Sequence, residues 1–283
     1  MNLKKQQIIN AAYSLFINKG YNSSSIQDIL DEAGVSKGTF YKYFTSKTEC
    51  LIAIMESIGS EIRQKRMAAA VGKSVNDSEV LAEQLCIRIR LNREKNLFSL
   101  YESIFHSQDE ELKKFAKETY INELNWIKFR ITEVFGEEAE PYALENAAVV
   151  HGSIQQLTHI WKLSTEEDLP TDELASFVIR RLKAAITQQI KSGDRFIREA
   201  SISSEAPAEK LSLEELSKKL KQLLQDEEED TRQLINFLAE ELVAETPRKV
   251  LMESVLSTLT QTNAYEHELV MAFEQVWKEL QQM

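Results

Sequence analysis

The stretch Ala33-Gly34-Val35-Ser36 leaves this chain little freedom. Before it, Ile26 to Ala33 sets Ile26, Ile29, Leu30 and Ala33 at the spacing of one helical face. After it, Lys37 to Tyr43 restarts a helix at once. Gly34 can take the left-handed conformation that a sharp turn needs, and Ser36 can cap the amides of the helix that follows. Two short helices, broken by Gly34 and restarted by Ser36, make a helix-turn-helix.

The flanking sequence agrees with that reading. Leu3 to Lys19 places Ile8, Ile9, Ala12, Leu15 and Phe16 on one face, with Gly20 as its C-terminal cap. Ser25 caps the second helix, with Asp28 near the positive end of its dipole. Ser46-Lys47-Thr48-Glu49 is a capping box that opens a fourth helix. Ile9, Ala12, Phe16, Ile26, Ile29, Leu30, Ala33, Val35, Phe40 and Phe44 then make a small apolar core. That leaves Lys37, Gly38, Thr39, Lys42 and Tyr43 facing outward. Hydroxyls, lysines and tyrosine rings can meet phosphate or base edges, and Gly38 lets the backbone come close to a groove. Lys47 is placed as a phosphate clamp.

Charge decides whether such a head suits DNA. The whole chain carries −11, which argues against a nucleic-acid binder if taken globally. Residues 1–47, however, hold six lysines against three acids, so the rest of the chain carries −14. A small basic head on an acidic body fits a protein that touches DNA at one end only.

With only 8 Gly and 4 Pro in 283 residues, there is little room for the turns of an all-β protein, and an all-α fold is expected. Cys50 and Cys86 lie far apart inside helical sequence, with no spacing for a disulfide framework or a zinc site. They read as reduced core thiols of a cytoplasmic protein. Asn10, Tyr13, Ser14 and Asn18 interrupt any signal-type apolar core, and no run is long enough to span a membrane. No phosphate loop, metal-binding pair, cofactor motif or nucleophile motif appears, so an enzyme is not expected.

Ala11-Ala12, Phe16, Gly20-Tyr21, Ser25-Ile26, Ile29, Ala33 to Phe44 and Ser46-Lys47 together closely resemble the N-terminal domain of TetR-family transcriptional regulators. The likeness covers about fifty residues and implies all-helical homodimers whose third helix reads the major groove of a palindromic operator. On matching positions it implies phosphate contacts at Ser25, Ser36, Thr39, Tyr41, Tyr43 and Lys47. Lys37, Gly38 and Lys42 would lie nearest the base edges. Leu30 departs from the alanine frequent there in the family.

The expected domains are the head at 1–47, an effector-binding and dimerisation body at 48–200, a linker at 201–210 and a helical extension at 211–283. In the body, Phe98, Tyr101, Glu102, Phe105, His106, Tyr120, Trp126 and Phe129 are the candidate lining of a pocket for a small lipophilic effector. The helices Tyr142 to Leu163 and Asp172 to Lys191 resemble the paired dimerisation helices of the family. Their stripes give Leu144, Ala148, His151, Ile154, Leu157, Trp161, Leu174, Phe177, Val178, Leu182, Ala185 and Ile186 as the expected interface. A longer helix with a possible break is expected over Glu110 to Phe135.

The extension has helical stripes at Leu213, Leu216, Leu220, Leu223 and Leu224, then Leu234, Phe237, Leu238 and Leu242. Asp226 to Asp230 reads as an acidic loop, and Thr246-Pro247 as a cap and first helical residue. With 17 acids against 8 basic residues over 205–283, the extension is not expected to touch DNA. It would bury its stripes on the core or a partner subunit. The leading functional expectation is an operator-bound repressor released by an apolar effector. The alternative is a DNA-bound adaptor whose acidic extension docks a protein partner.

Overall fold

A computed structural model of the chain describes residues 3–97, 100, 101, 104, 107–198, 211–224, 227–262 and 265–282. Among them are twelve α-helices: α1 (Leu3–Asn18), α2 (Ile26–Ala33), α3 (Lys37–Tyr43), α4 (Lys47–Ala70), α5 (Ser78–Glu94), α6 (Glu110–Phe135), α7 (Glu140–Ser164), α8 (Thr171–Ser192), α9 (Leu213–Gln222), α10 (Glu229–Glu241), α11 (Lys249–Thr262) and α12 (His267–Gln282). The expected caps Ser25, Ser36 and Ser46, and Ser212 in the extension, each accept a hydrogen bond from the third backbone amide of the helix they precede.

α6 spans the expected Glu110 to Phe135 and is unbroken. Two boundaries in the extension differ from expectation, each for a local reason. Glu229 and Asp230 form the acidic first turn of α10 rather than a loop, where negative charge is favoured by the helix dipole. Pro247 does not open α11, which starts at Lys249. Instead the buried Glu241 carboxylate accepts from the Arg248 amide at 2.7 Å and from its guanidinium, holding residues 242–248 in a turn.

The chain divides into two compact units. The first contains Met1–Val71, Asn92–Ala116 and Lys210–Met283, so head and extension belong together. In its head, Ile8, Ala12, Phe16, Ile29, Phe40 and Phe44 are almost wholly buried. Tyr21 closes that core, with its ring edge-on to Phe16. Ile9, Ile26 and Val35 are only half-buried, while Ile8 and Ala11 take inner positions.

α11 and α12 pack on α4, and α9 and α10 complete the layer around them. The extension's core holds Leu216, Leu220, Ile235, Leu238, Leu242, Leu256, Phe273 and Val276, and Met67 of α4 is part of it. A polar seam accompanies the apolar one. Gln64 donates to the Thr260 carbonyl at 3.0 Å, and Arg63 donates to His267 Nδ1 at 3.0 Å. The extension stripes are therefore spent on each other and on α4.

The second unit contains Gly72–Leu91 and Lys117–Glu209. α7 and α8 pack side by side. Leu81, Leu85 and Ile89 of α5, Leu124, Ile127 and Ile131 of α6, Ala143 and Ala147 of α7, and Leu174, Val178, Leu182 and Ile186 of α8 share one buried core.

Candidate nucleic-acid interface

The turn into α3 is built from backbone hydrogen bonds that only a residue with positive φ allows. Gly34 sits at φ 60° and ψ 38°, and the Val35 amide reaches back to the Leu30 carbonyl at 3.1 Å. α3 then starts on Ser36, whose Oγ accepts from the Thr39 amide at 3.1 Å and lies 2.9 Å from Thr39 Oγ1. Phe40 and Phe44 anchor the helix from below. Lys37, Gly38, Tyr41 and Lys42 are left exposed, and Thr39 and Tyr43 half-buried.

Each cation on this face is steered by a ring. Lys37 Nζ lies 5.9 Å from the Tyr41 ring centroid, and Lys42 Nζ lies 5.6 Å from that of Tyr43. Cation–π contacts at such exposed sites are weak. They bias two lysines over an aromatic surface without removing them from an anion's reach. Gly38 is informative by what it lacks. A Cβ built there meets nothing nearer than Ser36 Oγ at 3.9 Å, so the fold does not require a glycine at that position.

Ser25 is exposed at the start of α2 and belongs to a reciprocal capping box. The Asp28 carboxylate accepts from the Ser25 amide at 2.7 Å and from its hydroxyl at 2.6 Å, and Lys19 Nζ lies 2.9 Å from its other oxygen. The Ser25 hydrogen bonds, then the lysine, hold the Asp28 carboxyl well below the usual carboxylate range.

Lys47 has a second occupation that the sequence did not suggest. Its ammonium donates to the carbonyls of Tyr21 and Ser24, both at 2.8 Å, and stands 4.2 Å from the Tyr21 ring centroid. Its partial burial pushes its pKa down. An ammonium has three N–H donors, and two of them hold the α1–α2 loop. Lys47 is thus a staple of the head as well as a candidate clamp.

Next to it runs a chain of hydroxyls. Tyr21 Oη lies 3.2 Å from Thr48 Oγ1, and Thr48 donates to Asp109 at 2.6 Å. Asp109 in turn accepts from the Glu111 amide at 2.9 Å, at the start of α6. The Thr48 hydrogen bond lowers the Asp109 pKa. None of Tyr21, Thr48 and Asp109 stands out as functional in sequence, since the pairing spans 61 residues between Thr48 and Asp109.

The other expected sites are dispersed. Phe98, Glu102, Phe105 and His106 lie outside the described residues. Tyr101 belongs to the first unit, whereas Tyr120, Trp126 and Phe129 belong to the second. Tyr120 and Phe129 are nearly half exposed, at 47% and 46%, while Trp126 packs against the body core. Tyr120 meets His151 edge-on at 5.2 Å. Burial, then the charge of Arg88, holds His151 below its usual pKa.

Of the expected interface residues, Leu144, Leu174, Val178, Leu182 and Ile186 are buried in the single chain. Ala148, Ile154, Leu157, Trp161 and Phe177 are partly buried against the same core, and His151 and Ala185 are half-buried. These stripes fasten α7 and α8 to their own subunit. The apolar residues left exposed on α7 are Val149, Ile160 and Leu163. Among the described residues, no cluster of His, Cys, Asp and Glu could hold a metal ion, and no helix is long and apolar enough to cross a membrane.

Comparison with known proteins supports the geometry of the head. A family model described as bacterial regulatory proteins, tetR family, matches residues 8–54. The chain is 28% identical over 276 residues to the uncharacterized HTH-type transcriptional regulator YerO of Bacillus subtilis, covering 96% of this chain and 95% of that protein. It is 24% identical over 288 residues to the uncharacterized HTH-type transcriptional regulator YuxN of the same organism, covering 93% and 94%. A third regulator, from the lacX 3′ region of Lactococcus lactis, is 45% identical over 53 residues, only 19% of this chain and 27% of that protein. The first two likenesses therefore run through the extension, and the third is confined to the head.

Proposed function

We propose that this chain, whose residues 8–54 match the tetR family of bacterial regulatory proteins, is a homodimeric repressor. Each head lays α3 in the major groove of one half of a palindromic operator. Lys37, Gly38 and Lys42 face base edges. Ser25, Ser36, Thr39, Tyr41, Tyr43 and Lys47 hold the phosphates. A small lipophilic molecule taken up by the second unit favours a state whose reading helices no longer match the half-site spacing. Without such a difference in affinity between states, a ligand shifts nothing.

The observation that carries this reading is α3 itself. A short helix is held from below by Phe40 and Phe44, and its outer face carries two exposed lysines, a tyrosine and an unrequired glycine. The exposed residues Val149, Ile160 and Leu163 lie on one side of α7 and support dimerisation through that outer face. The adaptor alternative has less support, because the apolar stripes of the extension are buried in its own core and against Met67.

The test is selection of random duplexes by the full-length protein, followed by binding measurements over a range of salt. The expected product is a palindrome with half-sites about one helical turn apart, bound with an affinity that falls steeply as salt rises. Failure to enrich any sequence, or enrichment of a lone half-site bound by a monomer, overturns the reading.

A further inference from the structure

The second unit buries more polar chemistry than a helical core needs. Gln84 of α5 and Glu123 and Arg130 of α6 are 4%, 6% and 6% exposed. Arg130 Nε donates to Gln84 at 3.0 Å, and Nη1 pairs with Glu133. Arg88, one turn beyond Gln84 on α5, pairs with Glu123 at 2.6 Å. The Arg130 Nη2 atom is shut off from solvent and has no hydrogen-bond partner among the described residues. Leu85, Ile127 and Ile131 belong to the apolar core of the same two helices.

Stability does not account for this arrangement. Apolar side chains of equal volume commonly pack two helices as well as a buried ion pair does, or better. A buried cationic donor left without an acceptor is costly, and such groups call for an explanation. What Arg130 lacks is an oxygen acceptor on Nη2. A guanidinium presents a planar fork of donors that a carboxylate matches with two oxygens. A phosphate dianion fits less well, since Glu123 and Glu133 already place two acids in the seam.

We propose that the seam between α5 and α6 is a binding site for an amphiphilic carboxylic acid, whose carboxylate is held by Arg130 and whose chain enters the surrounding apolar core. The proposal deepens the effector-regulated reading above and rests on it for the regulatory consequence. On entry, Arg130 exchanges one carboxylate for another. The Glu133 side chain is 20% exposed, so it can swing to water while the incoming carboxylate takes its place on Nη1 and completes Nη2. One carboxylate replaces another on the same guanidinium, and the buried charge is unchanged.

The experiment uses the full-length protein with decanoate, decanol and decylamine as probes, followed by thermal unfolding, calorimetric titration and operator binding. Decanoate is expected to raise the unfolding midpoint by mass action, and the alcohol and the amine are not. Arg130→Gln should weaken decanoate binding at least about tenfold. Glu133→Gln, which removes the internal competitor, should tighten it by about the same factor. A merely structural salt bridge predicts no such tightening, and this variant keeps the proposal testable if Arg130→Gln fails to fold.

Equal stabilisation by decanoate and decanol, no binding by decanoate, or a Glu133→Gln variant that binds no more tightly overturns the site. Binding with the expected dependence on Arg130 and Glu133 but with no change in operator affinity upholds the site and removes the effector-release reading instead.

Discussion

At the scale of single residues, substitutions at Gly38 and Lys47 can separate the needs of the fold from those of the proposed DNA partner. Gly38 has space for a side chain and an ordinary helical backbone, so its flexibility only weakens α3. Gly38→Ala should stabilise the head by about 0.5–1 kcal/mol while lowering operator affinity, as read by thermal unfolding and binding isotherms on the same sample. A loss of stability, or unchanged affinity, would remove Gly38 from the interface. Asp28 makes a prediction in pH. Its carboxyl is held below the ordinary value of about 3.9, so as acid is added the unfolded chain takes up the proton first. The stability it contributes is complete above about pH 5 and is lost as pH falls through and below 4. Asp28→Asn should therefore flatten the acid limb of the unfolding midpoint between pH 3 and 5. Lys47 shows where a residue's work escapes sequence. Carbonyl acceptors at Tyr21 and Ser24 leave no mark on residue type, so the staple is not legible in the sequence.

At the scale of elements, the head was readable because its helices are punctuated by side chains. Ser25, Gly34, Ser36 and Ser46 set α2, α3 and the start of α4 at the residues expected. The body and extension were readable only as helices. An apolar stripe says that a face is buried but not against what, and on α8 the strongest stripe turned inward to its own subunit. That difference can be measured. Ile160→Arg on the outer face of α7 should dissociate the dimer and lower operator affinity without loss of helicity, as read by light scattering and circular dichroism. Leu182→Ala should cost about 2–5 kcal/mol of stability and leave the association state intact. If Ile160→Arg stays dimeric, another face makes the interface. The turn before α11 escapes the sequence for a similar reason, since the Glu241 side chain that shapes it acts on Arg248 from seven residues away.

At the scale of the whole molecule, the extension is a brace on α4 in the same compact unit as the head. Cutting the chain within residues 201–210 should therefore leave the two pieces associated under native conditions, co-eluting in gel filtration and separating only in denaturant. Free elution of the C-terminal piece would show that Met67, Gln64 and the His267 seam do not hold it. The same packing sets an order of events during synthesis. α4 is complete once residue 70 has been made, yet the helices that cover one of its sides come after residue 210. At bacterial elongation rates that is a wait of about 10–40 s, during which Met67 has no extension to pack against. A prematurely terminated chain can thus contain every residue of the helix-turn-helix and still lack the support of the helix that follows it. Possession of a sound head is thereby tied to completion of the far end of the chain.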